Sequence, residues 1–149
     1  KPENLNTIIN TLLPLVQANA MIMDHNINLE LNDIPDLLLD SKEISQLILN
    51  LVNNALESMS AGGEVIVQTL VDQTIVILAV KDQGHGIERE VLDKLGTPFF
   101  TTKDQGVGLG LATCYRIASR HNAKIDLETS PNGTTFRVIF PIESSSAAD

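Results

Sequence analysis

The stretch Asn50-Leu51-Val52-Asn53-Asn54-Ala55 places amide side chains inside residues 44–59, which otherwise have the apolar spacing of a buried helix. Asn50 and Asn54 are four residues apart, so they lie one turn apart on the same helix face, and Gln46 and Glu57 extend that face. A buried amide without a partner costs about 1–3 kcal/mol. A bound ligand could be that partner, and so could a loop or a neighbouring strand.

Two glycine-rich segments follow in a set order. Asp82-Gln83-Gly84-His85-Gly86-Ile87 comes directly after the apolar run at residues 74–80, and Gly106-Val107-Gly108-Leu109-Gly110-Leu111-Ala112 comes directly before a helical pattern. Between them stands Thr97-Pro98-Phe99-Phe100-Thr101-Thr102-Lys103. Each segment alone is a moderate signal, because glycines are common in ordinary turns and loops. The order of all four segments is much more specific.

With these motifs in this order, the chain resembles the ATP-binding catalytic domain of sensor histidine kinases, in the GHKL superfamily. Residues 46–55 are similar to its N box, 82–87 to its first glycine box, 97–103 to its F box and 106–112 to its second glycine box. The segment at residues 132–141 resembles the last hairpin strand of that family. The resemblance implies an α+β two-layer sandwich of the Bergerat type, with a mixed sheet covered on one face by helices, and it implies ATP and Mg²⁺ as cofactors.

Asp82 follows a strand whose alternation would bury its carboxylate, which then needs a hydrogen-bond donor. An exocyclic amine such as that of adenine would fit, and a turn-capping role is the alternative. Gly84 and Gly86 would let the backbone approach a flat ring. The resemblance implies that Asp82 reads adenine, that Asn54 is the metal ligand, and that Asn50 supports the metal or the phosphates.

The second glycine segment predicts a phosphate site. Gly106, Gly108 and Gly110 expose backbone N–H groups where a helix starts, a position that favours phosphate. No Gly-Lys-Ser/Thr follows, so this is not a Walker A loop. Lys103 could reach a phosphate as a mobile point charge or stay solvated. The predicted catalytic set consists of Asn50, Asn54 and Lys103. The nucleotide site is also expected to include Ile87, Phe99, Thr101, Thr102, Val107, Leu109, Leu111 and Thr135.

The F-box segment predicts a lid over the nucleotide. Phe99 and Phe100 stand among small and polar residues, so they are expected to anchor the base of a mobile loop at residues 95–107. Thr135, at the start of the last strand, is expected to hold Asp82 or a water beside adenine.

Composition bounds the class of protein. The 149 residues are 43% hydrophobic and 19% charged, which suits one globular domain. A net charge of −9 argues against general nucleic-acid binding, and it obliges an ATP site to supply local positive potential from backbone N–H groups, Lys103 and a metal. The single cysteine, Cys114, excludes an internal disulfide and fits a reducing, cytoplasmic compartment. No apolar run reaches about 18 residues, so these residues are not expected to span a membrane, whatever anchor a longer protein has.

The pattern of apolar residues predicts three helical segments besides the asparagine helix: residues 5–24, where Pro14 kinks or restarts the helix, a short turn at 88–92, and 108–121. It also predicts short strands at residues 28–31 and 37–39, a hairpin of 64–71 and 74–81 about Asp72-Gln73, and a last hairpin of 124–128 and 134–140. Asp40 or Ser41 is the expected N-cap of the asparagine helix. Residues 1–24 are interpreted as the end of a connecting helix from a missing dimerisation and acceptor domain, 25–142 as the catalytic domain and 143–149 as a polar tail.

The function that follows is donation of the γ-phosphate of Mg·ATP to a histidine on a separate acceptor domain, with a response regulator downstream. The fragment is expected to be monomeric and the full-length protein dimeric. His25, His85 and His121 do not lie in an acceptor-box pattern. One alternative is a hydrolytic GHKL ATPase, but those carry a glutamate base where this chain has Asn50, and an amide does not take the proton. The other is a docking domain that binds ATP without transferring phosphate.

Overall fold

The structure is a computed structural model that describes residues 2–60, 62–84 and 107–142. The helical turn predicted at residues 88–92, the F-box segment with most of the predicted lid, and the polar tail lie outside the described residues.

The described elements are three helices and seven strands. In chain order they are β1 (Pro2–Glu3), α1 (Leu5–Ile22), β2 (Asn26–Leu31), β3 (Leu37–Leu38), α2 (Ser41–Glu57), β4 (Glu64–Asp72), β5 (Ile75–Lys81), α3 (Val107–Arg120), β6 (Lys124–Ser130) and β7 (Gly133–Pro141). Five strands form one sheet in the order β2-β4-β5-β7-β6, and β1 pairs with β3 in a separate two-stranded sheet. In the large sheet β2 runs parallel to β4 and every other neighbouring pair is antiparallel. The predicted two-layer α+β sandwich with a mixed sheet is confirmed.

The core lies between the sheet and the helices. Alternate residues of a strand point to one face, and one set of alternate positions on the central strands is buried: Val65, Val67, Val76, Leu78, Val80, Phe136, Val138 and Phe140. Helix α2 lies over them and buries Ile44, Leu47, Ile48, Leu51, Val52, Ala55 and Leu56. Each such side chain contributes about 1.5–3 kcal/mol when it leaves water, so α2 is the best-anchored helix of the layer.

The boundaries of α2 follow its local chemistry. Asp40 is the N-cap, and its Oδ1 accepts hydrogen bonds from the backbone N–H groups of Lys42 at 3.0 Å and Glu43 at 3.2 Å. This confirms one of the two predicted caps. The helix ends at Glu57, with Ser58 as its C-cap, before the glycine pair that was expected to end it.

One predicted turn is wrong, and of the two alternatives for Pro14, a kink or a new helix start, the structure excludes the second. Asp72 pairs with Ile75, so the hairpin turns at Gln73-Thr74, one residue further on, and Gln73 takes the left-handed φ of 55° that this turn requires. Helix α1 runs through Pro14 without a new start. Pro14 and Asn10 both lie on the exposed face, so the Asn10 carbonyl that loses its donor faces water.

The first residues of the chain belong to the same core. Helix α1 buries Leu5, Ile8, Ile9, Val16 and Ala20 and packs against α2 and β2. That residues 1–24 are the end of a connecting helix from a preceding acceptor domain stays a prediction. Among the described helices, none combines the length and the apolar character that crossing a membrane requires.

A buried polar network fastens the N-terminal end of α1 to the sheet. Thr69 on β4 is fully buried; its hydroxyl donates to Asn6 Oδ1 at 2.8 Å and accepts from the Asn32 backbone N–H at 3.1 Å. The Asn32 side chain donates back to the Thr69 carbonyl at 2.7 Å. Every member therefore has a partner, which is the condition for a polar group to be tolerated in a core.

Replacing Thr69 by valine should lower the free energy of unfolding by about 1–3 kcal/mol, because the Asn6 oxygen and the Asn32 N–H lose a buried partner. Urea denaturation of the variant and the parent measures this difference. An unchanged midpoint would mean that water replaces the hydroxyl and that the network adds nothing to stability.

Candidate functional site

Helices α2 and α3 lie side by side and antiparallel. His121, just after α3, accepts from the Asp40 backbone N–H through Nε2 at 3.1 Å, and Arg120 forms an ion pair with Glu43 at 3.2 Å. The C-terminal end of α3 therefore lies beside the N-terminal end of α2.

The next contacts along this pair fix its register. The Cys114 thiol lies 3.8 Å from the Leu47 carbonyl and forms a side-chain hydrogen bond with Asn50. From the His121–Asp40 contact to the Cys114–Leu47 contact, the chain moves back by seven residues along α3 and forward by seven along α2, and the rise per residue is the same in both helices. The start of α3 at Val107 is accordingly level with the last turn of α2, the turn that follows Asn54.

The amide stripe of α2 faces α3. Gln46 Nε2 donates to Asn50 Oδ1 at 2.9 Å, which together with the Cys114 contact holds Asn50 in place. Asn54, one turn further, is half-buried and makes no side-chain hydrogen bond to any residue in the described ranges. Asn53 is on a different side, where Asn19 of α1 donates to its Oδ1 at 3.3 Å. Of the three asparagines, Asn54 is therefore the one whose side chain makes no hydrogen bond within the described ranges.

Asp82 lies at the other side of Asn54, at the end of β5. Its Oδ1 accepts from the backbone N–H groups of Gly84 at 2.8 Å and Thr134 at 3.2 Å, and its own backbone N–H donates to the Thr134 carbonyl at 2.9 Å. Bonds to an ionised carboxylate are stronger than neutral ones. The half-buried carboxylate is thus oriented by the chain around it. The turn-capping role that was the alternative for Asp82 is therefore present, and it does not exclude a ligand role.

The Asp82 turn is packed tightly on both sides. A Cβ built on Gly84 would lie 2.6 Å from Ser58 Oγ and 2.7 Å from the Ser58 carbonyl, at the end of α2. A Cβ on Gly133, whose φ is +153°, would lie 2.2 Å from the Asp82 carbonyl oxygen. Gly84 was expected to make room for a ligand ring, but the close approach that the structure shows is to α2. This contact fixes the distance between Asp82 and the asparagine stripe.

The structure puts Thr134, and not Thr135, on the face of the sheet that Asp82 shares. Val80 pairs with Phe136 and both are buried, whereas Lys81 pairs with Thr135 on the opposite face. Asp82 is two residues after Val80 and lies opposite Thr134, which is only 5% exposed. The alternation of the strand therefore turns the Thr135 side chain away from the position that was expected for it.

The second glycine segment lies in the first turn of α3. The helix begins at Val107, so Gly108, Leu109 and Gly110 follow within the helix and not in a loop before it. The first four N–H groups of a helix have no partner within it, and they carry the positive end of the helix dipole. Leu111 has its side chain in the core, so it could face a ligand only through the backbone.

Cys114 and Asn50, which meet between α3 and α2, are unsuited to an acid–base role. Burial raises the pKa of the Cys114 thiol to about 12, and the hydrogen bond with Asn50 offsets this only in part. The thiol is thus neutral at physiological pH, and Asn50 has no proton-accepting group. No cluster of three or more His, Cys, Asp and Glu side chains suited to a metal occurs in residues 2–60, 62–84 and 107–142.

The described part of the chain thus joins Asn50 to α3 through Cys114 and joins the Asp82 turn to the end of α2 through Gly84 and Ser58, and Asn54 lies between these two contacts along α2. Other predicted site residues lie outside it: Gly86, Ile87, Phe99, Thr101, Thr102, Lys103 and Gly106. Sequence reasoning missed Ser58 and Gly133, whose roles depend on close approaches that no local pattern reveals. Thr134 could have been found from the alternation of β7 once its pairing with β5 was known.

Comparisons with known proteins find relatives that share the fold of this chain. The family model described as histidine kinase-, DNA gyrase B-, and HSP90-like ATPase matches residues 39–144. Sporulation kinase C of Bacillus subtilis is 31% identical over 149 residues, which cover 98% of this chain and 35% of that protein. The chain therefore spans about a third of the length of this curated relative.

Two solved structures are also similar. The nucleotide-free catalytic domain of histidine kinase ThkA matches with a TM-score of 0.85 at 32% identity, covering 95% of this chain and 94% of that one. ThkA in complex with the response regulator protein TrrA matches with a TM-score of 0.80 at 30% identity, covering 95% and 41%.

Replacing Gly84 by alanine should lower the free energy of unfolding by about 1–3 kcal/mol, because the added methyl group meets the end of α2. Adding Ser58→Ala should restore only part of the loss, since the Ser58 carbonyl remains 2.7 Å from the new Cβ. Urea denaturation of the single and double variants measures both effects. Full recovery in the double variant would show that the Ser58 hydroxyl alone sets the spacing.

Proposed function

Because this chain belongs to the histidine kinase-, DNA gyrase B- and HSP90-like ATPase family, and specifically to its histidine kinase catalytic domains, we propose that it binds Mg·ATP and donates the γ-phosphate to a histidine on a separate acceptor domain. The observation that carries the proposal is the arrangement around Asn54. Asn54, which makes no side-chain hydrogen bond within the described residues, stands level with a helix N-terminus on one side and is four residues from the Ser58 contact of the Asp82 turn on the other.

The base would bind at Asp82. A carboxylate only accepts hydrogen bonds, so it suits the exocyclic amine of adenine and disfavours the carbonyl that guanine carries at that position. Two backbone donors already orient this carboxylate. The role beside the base that was expected for Thr135 is better filled by Thr134, which shares the face of Asp82.

The phosphates would lie between Asn54 and the start of α3. Unpartnered N–H groups at a helix N-terminus bind phosphate, and they supply local positive potential in a chain of net charge −9. The amide oxygen of Asn54 is a hard ligand suited to Mg²⁺, and Asn50, held by Gln46, would support it. Bound Mg²⁺ would neutralise charge on the phosphate oxygens. Lys103 is proposed as a further phosphate contact.

Phosphoryl transfer then needs positioning more than covalent chemistry. This chain would hold the nucleotide by its base and inner phosphates and leave the γ-phosphate for an incoming histidine. Hydrolysis is disfavoured, because Asn50 accepts a hydrogen bond from Gln46, bonds to Cys114, and has no group to deprotonate water.

The partners in the longer protein follow from the same reading. We propose that an acceptor-histidine domain, a dimeric full-length protein and a downstream response regulator complete the system, while the isolated catalytic domain is monomeric and acts on the cytoplasmic side. The solved complex of the related ThkA with TrrA supports the response regulator as a partner class.

Asn54→Ala and Asn54→Asp should each weaken binding of Mg·ATP by about 10–100-fold, the range seen when metal sites lose a supporting group. Asn53→Ala is the matched control, because its side chain bonds to Asn19 on a different side of the same helix. Isothermal titration with a non-hydrolysable ATP analogue and Mg²⁺ measures the affinities. Parental affinity in both Asn54 variants would remove the metal role from this residue.

The chain alone should not label itself on histidine with γ-labelled ATP and should release phosphate slowly. Mixed with the acceptor domain of its own full-length protein, it should transfer label in trans. The transfer should be weak, because the separate domains lack the effective concentration of about 1 mM that a tether normally supplies. The assay is acid-labile, base-stable label, with an acceptor domain lacking its histidine as the control. Rapid phosphate release without acceptor would favour the hydrolytic ATPase, and tight binding without transfer would favour a docking domain.

A further inference from the structure

Strand β5 leaves the sheet at the Asp82 turn, and side chains there replace bonds that the backbone ladder would make. The last paired residues of β4 and β5 are Ile66 and Lys81. The same register, continued by two residues, sets Glu64 opposite Gln83, and opposite residues of an antiparallel pair can exchange backbone bonds. Here the Glu64 N–H donates to the side chain of Gln83 instead, with a distance of 3.1 Å to Oε1.

A similar replacement occurs on the β7 side of the turn. The Asp82 N–H donates to the Thr134 carbonyl at 2.9 Å, as in a ladder, but the Thr134 N–H donates to the Asp82 carboxylate at 3.2 Å. Thr134 also meets strand β6, because its Oγ1 lies 2.8 Å from that of Thr129. The β7 side of the turn is therefore fixed by the body of the sheet.

The β4 side of the turn depends on Gln83. Besides the bond from Glu64, the Gln83 backbone N–H donates to Met59 Sδ at 3.3 Å. Met59 is packed on Gly63, where an added Cβ would lie 2.6 Å from the sulfur, so its position is set by the chain that enters β4. A thioether is a weak acceptor, so the Gln83 amide oxygen makes the stronger of the two contacts. The direction of that bond is fixed, since a backbone N–H can only donate.

We propose that Gln83 is a positioning residue for the Asp82 carboxylate, because its side chain holds the turn at the edge of β4 while the carboxylate keeps its two backbone donors. This rests on the proposed binding of the base at Asp82. Gln83 follows Asp82 directly, so a shift of Gln83 relative to β4 rotates the backbone between the two residues and redirects the carboxylate. The contact of Gly84 with Ser58 sets the distance of the turn from α2, and Gln83 sets its place beside β4.

Three variants separate this role from a general effect on stability. Gln83→Met keeps the length of the side chain but has no amide oxygen, whereas Gln83→Glu keeps an oxygen at that place. Gln68→Met is the matched control, because Gln68 lies on β4 and loses a side-chain bond to Glu30, at 3.4 Å, on a part of the strand away from the turn. Gln83 is exposed, so its replacement leaves the core unchanged.

Amide hydrogen exchange is the first measurement. In Gln83→Met, the amides of Glu64, Gly84 and Thr134 should exchange about 3–10-fold faster, the equivalent of one hydrogen bond. The amide of Leu78, in the central strand β5, opens only on global unfolding, so its exchange should stay within about twofold of the parent. Gln83→Glu and Gln68→Met should keep parental exchange at Gly84 and Thr134.

Isothermal titration with Mg²⁺ and a non-hydrolysable ATP analogue is the second measurement. Gln83→Met should bind about 3–10-fold more weakly than the parent, because the carboxylate is no longer held toward the base. Gln68→Met should bind as the parent does. Gln83→Glu serves only in the exchange comparison, since its added charge itself repels a polyanion.

Parental exchange of Gly84 and Thr134 in Gln83→Met would overturn the inference, and so would equally fast exchange in Gln83→Glu, because the oxygen would then be irrelevant. Faster exchange with parental affinity would overturn it as well. If Gln83→Met does not fold, Gln83→Ala makes the same comparison. A parent that does not bind the analogue would instead refute the proposed function, and the exchange measurements would still decide whether Gln83 holds the turn.

Discussion

The rest of the site depends on the close packing of Gly84 against Ser58. The turn after β5 touches the C-terminal end of α2 so closely that no Cβ fits between them. Because Asp82 is tied to this turn through Gly84 and to β7 through Thr134, the contact fixes where its carboxylate stands relative to α2. On the other side of Asn54, Asn50 bonds to Cys114 and fixes the distance to α3. Asn54 is thus four residues from each of two fixed contacts.

This arrangement resolves a conflict between the charge of the chain and the ligand it is proposed to hold. A protein of net charge −9 repels a polyanion at long range, so the attraction of the proposed ligand must be local. In the proposed site, oriented N–H groups at the start of α3 would supply it without adding side-chain charge, and their value rises where water is excluded. The polar atoms are held by an apolar scaffold, since the helix that carries the amides has seven buried core residues.

The sequence predicted the elements well because their signals are local. The periodicity of the helices, the alternation of the hairpins and the Asp40 cap are properties of neighbouring residues, and the structure confirms them. The errors in the strands have one physical origin, which is register. A shift of one residue in a strand moves a side chain to the opposite face, so Thr135 was expected where Thr134 stands.

The pairing of Gly84 with Ser58 and of Thr129 with Thr134 was beyond prediction from sequence for a related reason. Each joins two different elements of the fold. Whether the atoms of each pair come into contact depends on a few tenths of an ångström in the distance between those elements, which only the packing of the whole core determines. Local patterns contain no information on such distances. The resemblance to a family indicates which residues belong to the site, whereas the packing shows which of them are held by contacts with other elements of the fold.

The most direct measurement of the central claim is a crystal structure of this chain with Mg²⁺ and a non-hydrolysable ATP analogue. The account predicts Asn54 Oδ1 within about 2.0–2.1 Å of the metal, the adenine amine on the Asp82 carboxylate, and phosphate oxygens facing the first N–H groups of α3. It also predicts that the Gly84–Ser58 contact is unchanged. A metal held without Asn54, or a base bound away from Asp82, would contradict it.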